Sequence, residues 1–236
     1  MESTQADKVY INEGDHIDVE DTARLPYELL SVLGYGGSAV VEEVKDIYTQ
    51  KVFARKVFRV LTRTLPQVRE MFEKEIMIIR RLAPHPHIVK AFATYTTKRS
   101  LAVIIDPVAD GGNLAELLAA RRDCNQSDRL AYDRIIKTGF GCLAKGLAFI
   151  HSNSIRHKDI KPQNILVHQS RLLYTDFGIS NDFSNSRSTT EGHPGPFTMR
   201  YCAPEVVDWG ERNSKSDIFS LGCVFLEMYT DPSQDL

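Results

Sequence analysis

Apolar positions along the chain change period more than once, and the changes mark out its parts. Residues 29–33, Leu-Leu-Ser-Val-Leu, and residues 39–44, Ala-Val-Val-Glu-Glu-Val, are rich in β-forming side chains and flank Gly34-Tyr35-Gly36-Gly37-Ser38. Strand, glycine turn and strand predict a hairpin. Residues 52–58 read as a third strand, in which Ala54 and Lys56 share a face. Between Leu65 and Leu82 the period lengthens: Val68, Phe72, Ile79 and Leu82 recur at helical spacing. Pro84 and Pro86 end that helix. Residues 101–105 are a short apolar strand, and Asp106-Pro107-Val108-Ala109-Asp110-Gly111-Gly112 follows as a break. Beyond it Ile136, Phe140, Leu143, Leu147 and Ile150 predict one long buried helix. Residues 172–175 read as a short strand. Residues 216–228 read as a last helix with an apolar face at Ile218, Leu221, Phe225 and Met228.

Composition narrows the picture. Residues 1–24 are acid-leaning, with Glu2, Asp7, Glu13, Asp15, Asp18, Glu20 and Asp21 against Lys8 and Arg24, and predict a flexible leader ahead of a domain over 25–236. With 42% hydrophobic residues over 236 positions the chain can bury a substantial core. A net charge of −2 gives no electrostatic reason to expect nucleic acid or an anionic membrane as partner, and neither is expected. The 4 cysteines lie far apart without C-x-x-C spacing, which argues against a zinc site or a disulfide framework and for a reducing compartment, cytoplasmic or nuclear. The N-terminus has neither the apolar run of a signal peptide nor the basic character of a transit peptide. No window is long and apolar enough to span a bilayer.

The chemistry concentrates in residues 155–166, I-R-H-K-D-I-K-P-Q-N-I-L. Pro162 stops a helix there, because proline lacks the backbone donor and fixes its own φ. Asp159, Lys161 and Asn164 can then converge on one point. The strand at 172–175 delivers Asp176-Phe177-Gly178 beside them. An Asp and an Asn aimed at one space, with a Lys nearby, suit a magnesium-bound polyphosphate. Elsewhere Glu75 falls on the core-facing stripe of the first helix, where an ionised carboxylate is costly unless paired. Lys56 is its natural partner.

The run H-x-D-x-K-x-x-N followed by D-F-G resembles the protein kinase superfamily, and the K-P-Q-N form looks like its serine/threonine branch. The resemblance implies an α+β, bilobal fold. An N-lobe over about 27–106 would hold an antiparallel sheet and one helix. A mostly helical C-lobe over 107–236 would be incomplete at its C-terminal end, since such kinases continue with further helices. It also implies ATP and magnesium as cofactors, and roles for individual residues. Gly34, Gly36 and Gly37 would belong to the phosphate-covering loop, with Ala39 where a third glycine is usual. Val41 and Ala54 would bracket the adenine ring beside the gatekeeper Ile105, and the backbone of Asp106 and Val108 would bond it. Lys56, oriented by Glu75, would anchor the α- and β-phosphates, and Asn164 and Asp176 would hold magnesium.

Asp159 would accept or orient the substrate hydroxyl proton, and Lys161 would offset charge on the γ-phosphoryl group. Thr198, opening T-x-x-Y-x-A-P-E, would keep both in register, and Asp217 would brace the loop backbone. The implied substrate is a protein Ser or Thr hydroxyl. Residues 179–196, rich in Ser, Thr, Asn, Gly and Pro, are too long for an ordinary connection and look like an activation segment. Its Ser184, Ser186, Ser188, Thr189 and Thr190 would be phosphosites for an activating kinase or for autophosphorylation. Lys158 stands where most regulated kinases carry Arg, keeping the charge but losing the bidentate fork. A catalytically silent module that binds nucleotide or a partner is the alternative, against which intact Lys56, Asp159, Asn164 and Asp176 count.

Overall fold

The glycine-centred hairpin forms, and a sheet is built outward from it. The computed structural model describes residues 8–35, 39–59, 65–98, 100–178, 180–182, 198–208 and 213–230. These divide into two compact units, residues 1–80 with 90–108, and residues 81–89 with 109–236. Two units are what the bilobal expectation required.

The first unit contains β1 His16–Asp18, β2 Tyr27–Tyr35, β3 Ala39–Asp46, β4 Val52–Arg59, all but the last two residues of helix α1 Leu65–Leu82, β5 Lys90–Thr96 and β6 Ser100–Asp106. The sheet runs β1-β5-β6-β4-β3-β2 and is antiparallel except where β1 lies parallel to β5. Alternation along the strands puts Val44, Phe53, Ala102 and Ile104 into one core. Phe72, Ile76, Ile79 and Leu82 of α1 are also buried, and Phe72 meets Phe58 edge-on at 5.6 Å.

The leader expectation is corrected for residues 8–24. Ile11, Val19 and Leu25 are at most 6% exposed and belong to the sheet core, and β1 joins the sheet edge with His16 opposite Thr94. Backbone bonds from Gly14 N to Phe92 O (2.7 Å) and from Val19 N to Thr96 O (2.8 Å) fix it. The acidic side chains of this segment face outward around alternating Val9, Ile11, Ile17 and Val19, so the charge balance concealed a period-two apolar pattern.

The second unit contains α2 Leu114–Asp123, α3 Gln126–Ser152, β7 Ile155–Arg156, β8 Ile165–His168, β9 Arg171–Tyr174, β10 Asn181–Asp182, α4 Pro204–Val207 and α5 Ser214–Tyr229. α2 begins with a capping box in which the Asn113 side chain and the Glu116 side chain each bond the other residue's backbone N–H. α3 buries Ile136, Leu143, Leu147 and Ile150. It also carries two glycines where the β8–β9 hairpin presses against it. A Cβ on Gly139 would lie 2.6 Å from Leu172, and one on Gly146 would lie 2.9 Å from the Tyr174 ring. Tyr174 Oη donates to the α3 carbonyl of Leu143 at 3.0 Å.

The buried face of α5 differs from expectation. Leu221, Val224 and Met228 are buried with Asp217, while Ile218 is 57% exposed and Phe225 is half-buried against Phe140. The helix turns toward residues 157–158 the face that carries Asp217, which displaces Ile218 outward.

Candidate active site

The loop that carries Asp159 is mounted on α5. Asp217, 2% exposed in the first turn of that helix, accepts from His157 N at 2.9 Å and from Lys158 N at 2.8 Å, and its Oδ2 lies 2.9 Å from His151 Nε2. Lys158 has φ +70, a left-handed conformation that costs an L-residue about 1–2 kcal/mol. The two amide bonds to Asp217 hold the backbone there.

His157 is fully buried, with Nε2 3.0 Å from Thr175 O and Nδ1 accepting from Asp159 N at 3.4 Å. A ring that donates from Nε2 and accepts at Nδ1 is neutral. Burial accordingly pushes its pKa down, against the opposing pull of Asp217, Asp159 and Asp176. The imidazole thereby ties the loop to the residue just before Asp176, and Phe177 packs on it at 4.8 Å. Asp176 itself has φ +61 and is half-buried.

Four of the sequence-predicted residues meet. Asp159 Oδ2 lies 2.8 Å from Lys161 Nζ and accepts from Asn164 Nδ2 at 2.8 Å, while Asp159 Oδ1 accepts from Thr198 Oγ1 at 3.1 Å. Lys161 Nζ also donates to Thr198 Oγ1 at 3.1 Å. Asn164 Nδ2 bonds the Asp159 carbonyl as well, at 2.9 Å. Both partners of that amide are acceptors, so its nitrogen is committed to Asp159 and its oxygen is directed away. The 3-10 turn Pro162–Asn164 makes this geometry, and Thr175 N donating to Asn164 O at 3.1 Å joins it to the strand before Asp176. The Asp159 side chain remains 16% exposed and that of Lys161 23%.

In the first unit Lys56 Nζ lies 2.7 Å from Glu75 Oε1, with side chains 13% and 2% exposed. Lys56 stands opposite Val41 on β3 and Val103 on β6, while Ala54 stands opposite Ile105. Ala54 and Ile105 are buried, and Val108 is half-buried just past β6. Asp106 closes β6 through Lys51 at 2.9 Å and Lys90 at 3.5 Å. Gly34 pairs with Val41, and a Cβ there would meet nothing within 4 Å. Gly36, Gly37 and the segment 184–190 lie outside the described residues.

Sequence reasoning missed the residues that hold this frame. His151 and His157 are two of them. Tyr201 is another: its Oη donates to Glu227 Oε1 at 3.1 Å, its carbonyl accepts from Ser220 Oγ at 2.7 Å, and burial followed by Glu227 pushes its pKa up to about 12. Glu205 accepts from Ser216 Oγ at 2.8 Å. The signal was present in α5, where Asp217, Ser220, Val224 and Glu227 recur at helical spacing and place three polar side chains on the buried side.

Residues 27–233 match the protein kinase domain family. The chain is 31% identical over 215 residues to serine/threonine-protein kinase cds1 of Schizosaccharomyces pombe, covering 86% of this chain and 44% of that protein. It is 31% identical over 235 residues to mitogen-activated protein kinase kinase kinase A of Dictyostelium discoideum, covering 98% of this chain and 24% of that protein. It is 29% identical over 216 residues to mitogen-activated protein kinase kinase 2 of Arabidopsis thaliana, covering 88% and 56%. The chain therefore spans about half or less of the length of these relatives. With the family's motifs filled by residues that assemble as described, the chain belongs to the protein kinase domain family.

Proposed function

We propose that the chain transfers the γ-phosphate of magnesium-ATP to Ser or Thr hydroxyls of proteins. The observation that carries this reading is the Asp159 cluster, in which Lys161, Asn164 and Thr198 all bond one partly exposed carboxylate. Such a carboxylate is held in one orientation while it keeps access to solvent. It can accept or orient a hydroxyl proton. Phosphoryl transfer asks mainly for positioning and charge neutralisation, and both are provided by residues already fixed by their neighbours.

Lys161, bonded to Asp159 and Thr198, supplies positive charge toward the transferring group. Lys56 takes the α- and β-phosphates, with Glu75 setting the direction of its ammonium. Val41, Ala54 and Ile105 give an apolar lining for a base, and the backbone of Asp106 and Val108 gives its hydrogen bonds. Packing supplies no reason for glycine at position 34, where an added Cβ meets nothing. A ligand approaching the backbone there supplies one. The donor set suits a magnesium ion: the Asn164 nitrogen is spent on Asp159, which leaves its oxygen for a hard cation together with the Asp176 carboxylate. Bound magnesium would neutralise phosphate charge. Control by phosphorylation at Ser184, Ser186, Ser188, Thr189 or Thr190, by another kinase or by the chain itself, belongs to the same proposal. No helix among the described residues is long and apolar enough to cross a membrane.

The test is transfer of labelled γ-phosphate from magnesium-ATP to a mixed Ser/Thr protein substrate, beside Asp159→Asn. Transfer that disappears in the variant supports the proposal. A sample that melts cooperatively, melts higher with magnesium-ATP and transfers nothing would overturn it in favour of a silent nucleotide-binding module.

A further inference from the structure

In the second unit a groove of about 370 Å³ opens beside the catalytic loop. Its walls come from α2, through Leu118, Arg121 and Arg122, from Gln163 of the loop, and from Arg200 and Glu227. Gln163 lies between Lys161 and Asn164, both bonded to Asp159, and Arg200 is two residues beyond Thr198, also bonded to Asp159. Two residues of chain reach at most about 7 Å. An extended peptide with its hydroxyl at Asp159 would therefore carry a neighbouring side chain within reach of the groove.

The groove's charge is one-sided once its ion pairs are counted. Glu227 is already engaged by Arg200 at 2.9 Å and by Tyr201 Oη at 3.1 Å. Asp133, outside the lining, is engaged by Arg121 at 2.6 Å. Asp123 follows Arg122 on α2 and is exposed. Arg122 is exposed, and no carboxylate among the described residues pairs with it. The Arg200 side chain is 73% exposed, so part of its guanidinium faces solvent. A guanidinium has five N–H donors in a fixed fork, and a single carboxylate uses only some of them. Of the three arginines, Arg121 and Arg200 are each met by one carboxylate and Arg122 by none among the described residues, which leaves one net positive charge and unused guanidinium donors facing the groove.

We infer that this groove selects acceptor proteins with an anionic side chain, carboxylate or phosphoester, close to the phosphorylated Ser or Thr. The inference rests on the kinase reading above, because the groove takes its meaning from Asp159. An arginine-flanked acceptor would meet like charge and is rejected. Gln163, which can donate and accept, contacts the peptide backbone without selecting charge.

The experiment measures kcat/KM on a set of Ser peptides in which each flanking position in turn is Glu, phosphoserine, Ala or Arg, with the wild-type chain and with Arg122→Glu. At one or more positions Glu or phosphoserine is expected to exceed Ala by about tenfold, the worth of one charge-assisted hydrogen bond, and Arg to fall below Ala. In Arg122→Glu the ratio of acidic to neutral peptide is expected to fall to one or invert, and Arg122→Lys is expected to retain part of it. A flat profile, a preference for Arg, or an unchanged ratio in Arg122→Glu overturns the inference. Glu and phosphoserine arms separate the two sources of anion. If no peptide is phosphorylated, the kinase reading fails on its own. The groove is then judged by fluorescence anisotropy of labelled Glu-flanked and Ala-flanked peptides without nucleotide. Tighter binding of the Glu peptide to wild type than to Arg122→Glu sustains the inference, and equal binding overturns it.

Discussion

Glu75 and Asp217 are carboxylates buried to the same extent, each 2% exposed, yet they are stabilised in different ways. Glu75 faces an ammonium: Lys56 Nζ at 2.7 Å, at the end of a long side chain on another element of the first unit. Asp217 faces backbone: two consecutive N–H groups, with an imidazole beside them. The first arrangement fixes a side chain, and the second fixes the path of a loop. An ammonium on a flexible stem can accept new partners and still be aimed by one carboxylate. Amides have no rotamers, so Asp217 sets the conformation of residues 157–158 and through them the direction of Asp159.

The largest effect is expected at Asp217. Asp217→Ala leaves one buried and one partly buried amide without acceptors and should cost about 2–5 kcal/mol in urea unfolding, with loss of transfer activity. Asp217→Asn keeps one acceptor and should lie between. Equal stability of Asp217→Ala and wild type would break the comparison. Next comes an asymmetry within the ion pair. Lys56→Met removes the ammonium 2.7 Å from a carboxylate that is 2% exposed and should cost about 3 kcal/mol, whereas Glu75→Gln leaves an ammonium on a side chain 13% exposed, able to reach water, and should cost about 1–2 kcal/mol. Lys56→Met with Glu75→Leu should cost less than the sum of the single changes, because the strain of an unpaired charge is absent.

pH separates the surroundings of the two carboxylates. Burial lowers the pKa of His157, whose backbone N–H bonds Asp217, and burial lowers those of the more exposed His85 and His87 in the same unit. Each folded-state imidazole then binds fewer protons than the unfolded one, whose pKa is 6.5. Stability is therefore complete above that value and falls as pH drops through it. Melting temperatures from about pH 8 down to about pH 5.5 should decline, and His157→Gln should flatten part of the decline.

The smallest effects concern the support of the strand leading to Asp176. Gly139→Ala meets Leu172 at 2.6 Å and should destabilise by about 1 kcal/mol. Gly141→Ala, exposed on the same helix with nothing within 4 Å, should stabilise by about 0.5–1 kcal/mol. Calorimetry of the pair shows whether close packing, not helix propensity, governs α3.

Motif chemistry and long-period patterns were legible because each depends on residues close together in sequence. The bounds of α1 coincide with the predicted Leu65 to Leu82, and the Asp159, Lys161 and Asn164 loop needed only one proline and its spacing. What escaped depends on distance along the chain. His151 reaches Asp217 across 66 positions and Tyr201 reaches Glu227 across 26, and neither contact has a local signature. The docking of residues 8–24 was hidden differently. A segment judged by net charge reads as solvated, although its apolar residues Val9, Ile11, Ile17 and Val19 are the ones that pack on the sheet core, with Ile17 in the edge strand. Ile218 shows the converse error, since an apolar residue at helical spacing was assigned inward although the polar stripe of α5 claims the buried side.

The central claim is that Asp159 acts in the transfer step, on nucleotide held independently of it. The most direct measurement is single-turnover transfer by Asp159→Asn beside its melting shift with magnesium-ATP. The account predicts a rate lowered about 10²–10⁴-fold with the shift preserved. An unchanged rate, or a shift abolished together with the rate, would contradict it.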